Sequence, residues 1–107
     1  MIEELLAQDR ELKRAKINSE TARIPWRELQ RFFAAGKVMW VAVELDLVDV
    51  AYALEQDSIE QVESWTGNDL LKPVSDDQAR AWFESDASLW AVVVKPWVLV
   101  QTPQPQD

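Results

Sequence analysis

The chain contains no cysteine and no histidine, and it has only two glycines in 107 residues. Without cysteine it can form no disulfide, thiol nucleophile or thiolate metal site. Without histidine it has no Ser-His-Asp triad and no histidine-based pH switch, and the two absences together exclude ordinary structural zinc. No glycine-rich phosphate loop is present, which excludes a P-loop or a dinucleotide fingerprint. The sequence therefore favours a protein that is not an enzyme, and it predicts no cofactor.

Basic residues are also few, because 11 Lys and Arg stand against 19 Asp and Glu, for a net charge of −8. Residues 38–107 hold three basic and thirteen acidic residues, whereas residues 1–37 hold eight and six. An acidic body disfavours attraction to nucleic acid or anionic membrane. No apolar run approaches the roughly 18 residues of a membrane span, and the acidic start does not resemble a signal peptide. We expect a cytoplasmic protein.

Five segments have the apolar spacing of amphipathic helices. They cover residues 2–16 and 25–35 and follow caps at Asp46, Asp57–Ser58 and Ser75. The last has the clearest local signal, since Ser75 and Gln78 have the spacing of a capping box. In the first, acidic residues precede basic ones, an order that complements the helix dipole. Its apolar stripe is thin, so this helix either lies on the domain or projects from it; the stripe consists of Leu5, Leu6, Leu12 and Ile17.

Three other segments are predicted to be extended. Val38–Val43 is an apolar run too short for a helix and is predicted to be a buried strand. The residues around Pro73 suggest a short edge strand or an extended loop, because proline cannot donate within a central ladder. Leu89–Val100 is rich in β-branched and aromatic residues, which is typical of a strand covered on both faces. Lys95 and Pro96 interrupt this last run. The favoured hairpin turns need a positive φ that proline cannot supply, so we predict a bent strand or a bulge there.

The order of elements predicts an α+β fold, with a small mixed or antiparallel sheet of about three to four strands and helices covering one face. Residues 19–101 are predicted to form a single domain, which is long enough for one core. Residues 1–18 form an N-terminal helical extension in this prediction. Residues 102–107 contain no large apolar side chain and are predicted to form a disordered tail.

The six tryptophans could form a stacking surface for a base or sugar, or could anchor a protein interface. Periodicity instead explains five of them as core residues, because they are in phase with the apolar faces of the predicted helices and strands. These five are Trp26, Trp40, Trp65, Trp82 and Trp90. Trp97 follows the interruption at Pro96, so core formation does not account for it.

Arg23, Arg27 and Arg31 recur at every fourth residue, and Lys37 follows closely. On one helix they would make a basic stripe suited to phosphate or to an acidic partner. Pro25 takes Arg23 out of phase with the other two, so a solvated helix face with ion pairs explains the pattern better.

Carboxylates cluster in three pairs, each of which could hold Mg²⁺ or act as an acid/base pair. The pairs are Asp46 with Asp49, Asp76 with Asp77, and Glu84 with Asp86. Each also has a structural role, since the first two pairs open helices and the third closes one. We therefore predict no metal site.

Three segments resemble a known family. They are Glu20–Gln30 with the motif Glu-Thr-Ala-Arg-Ile-Pro-Trp, Leu45–Val48, and Leu89–Gln101 with the motif Lys-Pro-Trp-Val-Leu-Val-Gln. From Glu20 to Gln101 the chain resembles a family of small bacterial proteins known only as a domain of unknown function. The resemblance implies a bacterial, cytoplasmic, free-standing domain. It implies no activity, cofactor or catalytic residue, and the first helix lies outside it.

These features favour a non-enzymatic interaction or regulatory module that self-associates or binds a protein partner, in part because the predicted sheet would expose an edge. The predicted interaction surface consists of Arg27, Arg31, Lys95, Pro96 and Trp97. One alternative is a small-ligand or nucleotide-binding domain, which could be a carboxylate/Mg²⁺ enzyme. Another is nucleic-acid binding through the basic helix face, against which the net charge argues.

Overall fold

The computed structural model describes residues 1–103, which form five helices and five strands. The helices are α1 (Ile2–Glu20), α2 (Trp26–Ala34), α3 (Leu47–Glu55), α4 (Ile59–Gly67) and α5 (Asp76–Glu84). The strands are β1 (Ala22–Pro25), β2 (Val38–Val41), β3 (Leu71–Pro73), β4 (Ser88–Val94) and β5 (Trp97–Gln101). The α+β prediction is confirmed, and the elements form a single domain.

The five strands form one mixed sheet in the order β1-β4-β5-β2-β3. β4 pairs antiparallel with β1 on one side and with β5 on the other, β5 and β2 run parallel, and β3 lies antiparallel to β2 at the far edge. The prediction of an edge strand at Pro73 is confirmed. The predicted strand number of three to four is too low, because β1 was not predicted and Leu89–Val100 is two strands.

β1 occupies the segment that the sequence assigned only to a helix boundary. Pro25 disfavours the helical conformation at Ile24, as predicted, and the extended conformation that remains pairs with β4. The preceding helix also continues to Glu20, four residues beyond the predicted end at residue 16.

The prediction of a bent strand at Lys95 and Pro96 is wrong. The two residues form a hairpin turn in which Val94 pairs with Trp97, and the peptide bond between Lys95 and Pro96 is cis. The sequence argument considered turns with positive φ, but a cis proline at the third position of a tight turn reverses the chain without one.

Helices cover both faces of the sheet, not one as predicted. Successive side chains of a strand point to opposite faces, and Leu99 belongs to one core cluster while Val98 and Val100 belong to the other. The first cluster includes Ile17 of α1 and apolar residues of α3. The second is built with α2 and α5. The central strands are therefore buried between two helical layers.

Local signals at the helix ends agree with most of the predictions. Asp46 accepts hydrogen bonds from the backbone N–H of Val48 (2.8 Å) and Asp49 (3.3 Å). The capping box is formed by the Ser75 hydroxyl oxygen, which accepts from the Gln78 N–H at 3.1 Å, while the Ser75 N–H donates to Gln78 Oε1 at 3.0 Å. Ser58 occupies the cap position of α4, but its side chain makes no capping hydrogen bond.

The predicted tail, residues 102–107, lies mostly outside the described residues, which end at Pro103. Within the described part of the chain, no helix is both long enough and apolar enough to cross a membrane.

The central position of β5 leads to a prediction about stability. Leu99 is 0% exposed, and Leu99→Ala removes buried methyl groups and leaves a cavity. We expect a loss of about 3 kcal/mol in the free energy of unfolding. Ile59→Ala shortens an aliphatic side chain of the same size that is 66% exposed on α4, and we expect a change within about 0.5 kcal/mol. Urea unfolding measures both, and equal losses would contradict the burial of β5.

Candidate functional site

The turn between β4 and β5 presents three of the five residues predicted to form the interaction surface. Lys95 and Pro96 are the turn residues, and both are exposed. Trp97 follows them at the start of β5 and is 38% exposed. Lys95 also lines an open groove of about 810 Å³ between the turn and α1, together with Lys13 and Lys16. The turn and α1 therefore border one surface.

Arg27 and Arg31, the other two predicted surface residues, lie on α2 and are each engaged locally. The Arg27 guanidinium lies 5.1 Å from the centre of the Phe83 ring and pairs with the Asp86 carboxylate at 3.4 Å. The Arg31 guanidinium lies 4.8 Å from the centre of the Phe32 ring. An arginine stacked on an aromatic ring keeps its charge while covering apolar surface.

The structure does not bring these two groups together. Arg27 pairs with Asp86, which precedes β4, whereas Lys95 directly follows the last residue of β4. At about 3.3 Å per residue, the length of that strand separates the two ends by roughly 20 Å. Arg27 and Lys95 therefore lie on separate parts of the surface.

Both edge strands carry a proline and a cation that lies over a tryptophan of the neighbouring strand. Arg23 of β1 is paired with Trp90, and its guanidinium is 5.5 Å from the ring centre. Lys72 of β3 is paired with Trp40, and its ammonium is 5.3 Å from the ring centre. Charges and prolines are common devices for protecting sheet edges from pairing with another chain. The edges, which the sequence suggested as a docking surface, are therefore poor sites for strand addition.

The tryptophans follow the predicted core assignment with one exception. Trp26 is 1% exposed and makes edge contacts with Phe33 and Trp82. Trp40, Trp65 and Trp82 are partly buried against the two clusters. Trp90 is 37% exposed, because its ring faces an open cleft beyond the edge of the core and is covered in part by Arg23.

The three carboxylate pairs lie at helix ends, where Asp46, Asp49 and Asp86 cap a helix or form an ion pair. Asp46 caps α3, and Asp49 pairs with Arg14 of α1. Asp76 and Asp77 occupy the first turn of α5, where negative charge suits the helix dipole. Between residues 1 and 103, no group of three or more carboxylates is arranged to hold a metal ion.

An open cleft of about 710 Å³ lies where the parallel strands β2 and β5 end. Glu44, Asp46, Trp90 and Gln101 contribute to its lining. The Gln101 amide nitrogen Nε2 donates to the carbonyl oxygens of Ala42 (2.8 Å) and Leu45 (2.7 Å). The last residue of the Lys-Pro-Trp-Val-Leu-Val-Gln motif thus fixes the loop that leads into α3.

The second half of α1 attaches this helix to the body of the domain. Ile17 is buried, and the Arg14 guanidinium pairs with Asp49 and lies 5.9 Å from the centre of the Tyr52 ring. The first half has no such anchor, and the molecule measures 53 × 30 × 27 Å. α1 therefore both docks and projects, where the sequence left these as alternatives.

A row of exposed apolar side chains begins on the projecting half of α1 and continues to Leu12, and the predicted interaction surface did not include it. We call it the α1 stripe; it consists of Ile2, Leu5, Leu6 and Leu12. These side chains are 72%, 61%, 60% and 71% exposed. Their spacing was visible in the sequence, but only the fold shows that the helix lacks a partner there.

A family comparison matches residues 12–102 to the family described as protein of unknown function (DUF2288). The chain belongs to the DUF2288 family. The NMR solution structure of PA1075 from Pseudomonas aeruginosa is similar, with 45% sequence identity, a TM-score of 0.77, and coverage of 90% of this chain and 89% of that chain. Comparison with curated proteins yields no match. The resemblance predicted from the motifs is thereby confirmed, and it assigns no activity to this DUF2288 chain.

The hydrogen bonds of Gln101 lead to a second prediction. Gln101→Glu keeps the shape of the side chain but places a carboxylate oxygen against two carbonyl oxygens in place of the donating amide. We expect a loss of roughly 2 kcal/mol in the free energy of unfolding at pH 7. Gln61→Glu, on the exposed side of α4, is the matched control and should change stability by less than about 0.5 kcal/mol. Similar unfolding midpoints in urea for the two variants would contradict a structural role for Gln101.

Proposed function

We propose that this chain is a non-enzymatic protein-interaction module of the bacterial cytoplasm, and that it binds its partner through the α1 stripe. The observation that carries the proposal is the exposure of four large apolar side chains, each at least 60% exposed, on one projecting helix. Scattered apolar side chains on a protein surface need no explanation, but a contiguous row of them is typical of an interaction site.

The stripe is not explained by the core. α1 reaches the body through Arg14 and Ile17, and the body has its two core clusters without Ile2, Leu5, Leu6 or Leu12. In proteins most of the stability of a helix comes from packing of its apolar face, and the first half of α1 has only its continuity with the anchored second half. A partner helix would supply the contacts that the first half of α1 lacks.

The β4–β5 turn extends this surface. Lys95 shares its groove with Lys13 and Lys16 of α1, and Pro96 and exposed Trp97 follow it. An aromatic residue beside basic side chains suits the rim of an interface, where polar residues surround an apolar centre. We therefore retain Lys95, Pro96 and Trp97 in the proposed surface. Arg27 lies outside it, since it pairs with Asp86 at the other end of β4, and Arg31 lies on α2, which packs on the opposite face of the sheet from α1.

A capture experiment tests the proposed function. The tagged chain is immobilised and exposed to a bacterial lysate that also contains an untagged copy of the chain. We expect Leu5→Gln with Leu12→Gln to weaken retention of the bound protein, whichever it is, by roughly 30-fold, because truncating two apolar anchors costs about 2 kcal/mol.

Ile59→Gln is the control, because Ile59 is 66% exposed on α4, away from the stripe. This variant should retain the same protein as the original chain. Circular dichroism must show α1 folded in all samples. If the Leu5 and Leu12 double variant and the control retain equal amounts, or if no protein is retained, an interaction function at the stripe is contradicted.

The cleft at the ends of β2 and β5 supports a second candidate, a small-ligand or nucleotide-binding function. In α/β sheets, ligands commonly bind outside the carboxyl ends of parallel strands. Here that position has a half-exposed aromatic ring, Trp90, beside the polar side chains of Glu44 and Gln101. An apolar face with a few convergent polar groups is the usual composition of a ligand pocket.

A thermal-shift measurement with nucleotides and divalent ions tests this candidate. A ligand present at about one hundred times its Kd adds about 2.7 kcal/mol to the folded state, which raises the melting temperature by several degrees. We expect Glu44→Arg, which reverses a charge in the cleft, to abolish that rise without changing the melting temperature of the free protein. The absence of a shift across the panel would contradict ligand binding.

A further inference from the structure

We propose that the cleft at the ends of β2 and β5 binds a small organic cation, an ammonium or guanidinium group on an apolar stem. This inference rests on the second candidate function, ligand binding in that cleft, and it names the chemical class of the ligand. It separates a cation from a nucleotide, a choice that the candidate function leaves open.

The charge of the cleft carries the first step. Of the described residues that line it, the charged ones are Glu44 and Asp46, and both are exposed acids. The last turn of α1 borders the cleft through Asn18, whose side-chain amide can accept as well as donate. The C-terminal end of a helix carries partial negative charge, and residues 17–20 include no basic residue to offset it. The N-terminus of α3, which would otherwise attract an anion, is capped by the Asp46 carboxylate. The cleft therefore favours a positively charged ligand.

The hydrogen bonds around the cleft carry the second step. Gln101 Nε2 donates to the carbonyl oxygens of Ala42 and Leu45, so both amide hydrogens are used and Oε1 is left to bind a ligand. The Thr21 hydroxyl donates its one hydrogen to the carbonyl oxygen of Ile17 at 2.8 Å. Like the carboxylates, these two side chains offer a ligand acceptors only. Ammonium and guanidinium groups donate several hydrogen bonds and fit this set, whereas a phosphate group accepts them and does not.

The ring of Trp90 carries the third step. It is 37% exposed and lines the cleft, and the Arg23 guanidinium already lies 5.5 Å from its centre. Tryptophan is the aromatic side chain that attracts cations most strongly. The chain holds one of its own guanidinium groups by a ring together with a carboxylate, since Arg14 lies over Tyr52 and pairs with Asp49. The cleft offers the same combination to a cation from outside.

An NMR titration of the full chain with four small probes tests the proposal. The probes are butylammonium, butylguanidinium, tetramethylammonium and butanoate. We expect the first two to shift the indole N–H signal of Trp90 with a Kd of about 1 mM, which is within reach of ligands with so few atoms. Tetramethylammonium has the charge but no N–H to donate, so its Kd should be at least roughly fivefold higher. Butanoate, the matched anion, should cause no saturable shift.

Three results of this titration would overturn the proposal. They are the absence of a shift with butylammonium, a tetramethylammonium complex as tight as that of butylammonium, and a butanoate complex as tight as that of butylammonium.

Substitutions test the location of the site, followed through the side-chain amide signal of Gln101. Glu44→Gln should raise the Kd of butylguanidinium roughly threefold, because it removes one negative charge. Trp90→Leu should raise it roughly tenfold, because it removes the ring. Glu60→Gln on α4 and Phe83→Leu on α5 are the matched controls, an exposed acid and a ring that is 45% exposed. Both controls should keep the original Kd, and equal Kd values for the cleft variants and their controls would place the cation elsewhere and overturn the proposal.

Arg23→Gln tests the sign of the ligand's charge. It removes a positive charge beside the cleft and uncovers part of the Trp90 ring, so butylguanidinium should bind roughly threefold more tightly. An anionic ligand would lose a favourable contact and bind more weakly. A butylguanidinium complex that this substitution weakens would therefore contradict the proposal.

The thermal-shift panel separates this inference from the function on which it rests. If nucleotides raise the melting temperature and the cations do not bind, ligand binding in the cleft stands and only the ligand class is wrong. If no cation binds and no member of the panel raises the melting temperature, both are contradicted.

Discussion

Burial of the central strands on both faces is the constraint on which the rest of this structure depends. Val98, Leu99 and Val100 are each no more than 4% exposed, and they alternate between the two core clusters. A three-residue run of this kind needs a helical layer on each side of the sheet. α2 and α5 provide one layer, and α3 with the second half of α1 provides the other. The core therefore requires that the second half of α1 docks on the sheet. It does not require the part of α1 that precedes Arg14.

The same arrangement explains how an acidic protein uses its few cations. Five of its 11 basic side chains lie over aromatic rings, and those at the sheet edges are Arg23 and Lys72. A cation over a ring covers apolar surface while its charged end stays in water. These residues lie on both edges of the sheet and on different helices, so they do not form one continuous positive surface. This distribution gives no support to nucleic-acid binding, which needs cations aligned along a phosphate backbone.

The sequence predicted what depends on local chemistry. The caps at Asp46 and Ser75 were predictable because cap residues act within one helical turn. β1 was not, because four residues ending in Pro25 have no periodic signal and become a strand only by pairing with β4. The hairpin at Lys95 and Pro96 was missed because the sequence argument considered only turns that need a positive φ. The interaction surface remains a prediction, and the sequence could not show that the length of β4 separates two of its residues, Arg27 and Lys95.

The two halves of α1 differ in the constraint that each must satisfy. In the second half, Arg14 pairs with the carboxylate of Asp49, and Ile17 packs in the first core cluster. Substituting either residue would remove that contact. Ile2, Leu5 and Leu6 make no such contact, and the match to the DUF2288 family begins only at Leu12. A helix that needed only to cover the sheet could keep Ile17 as its apolar contact and expose polar residues at the positions before it, as surface helices do. That Ile2, Leu5 and Leu6 are large, apolar and at least 60% exposed on the part of α1 that the core does not require is the argument for a function outside the core.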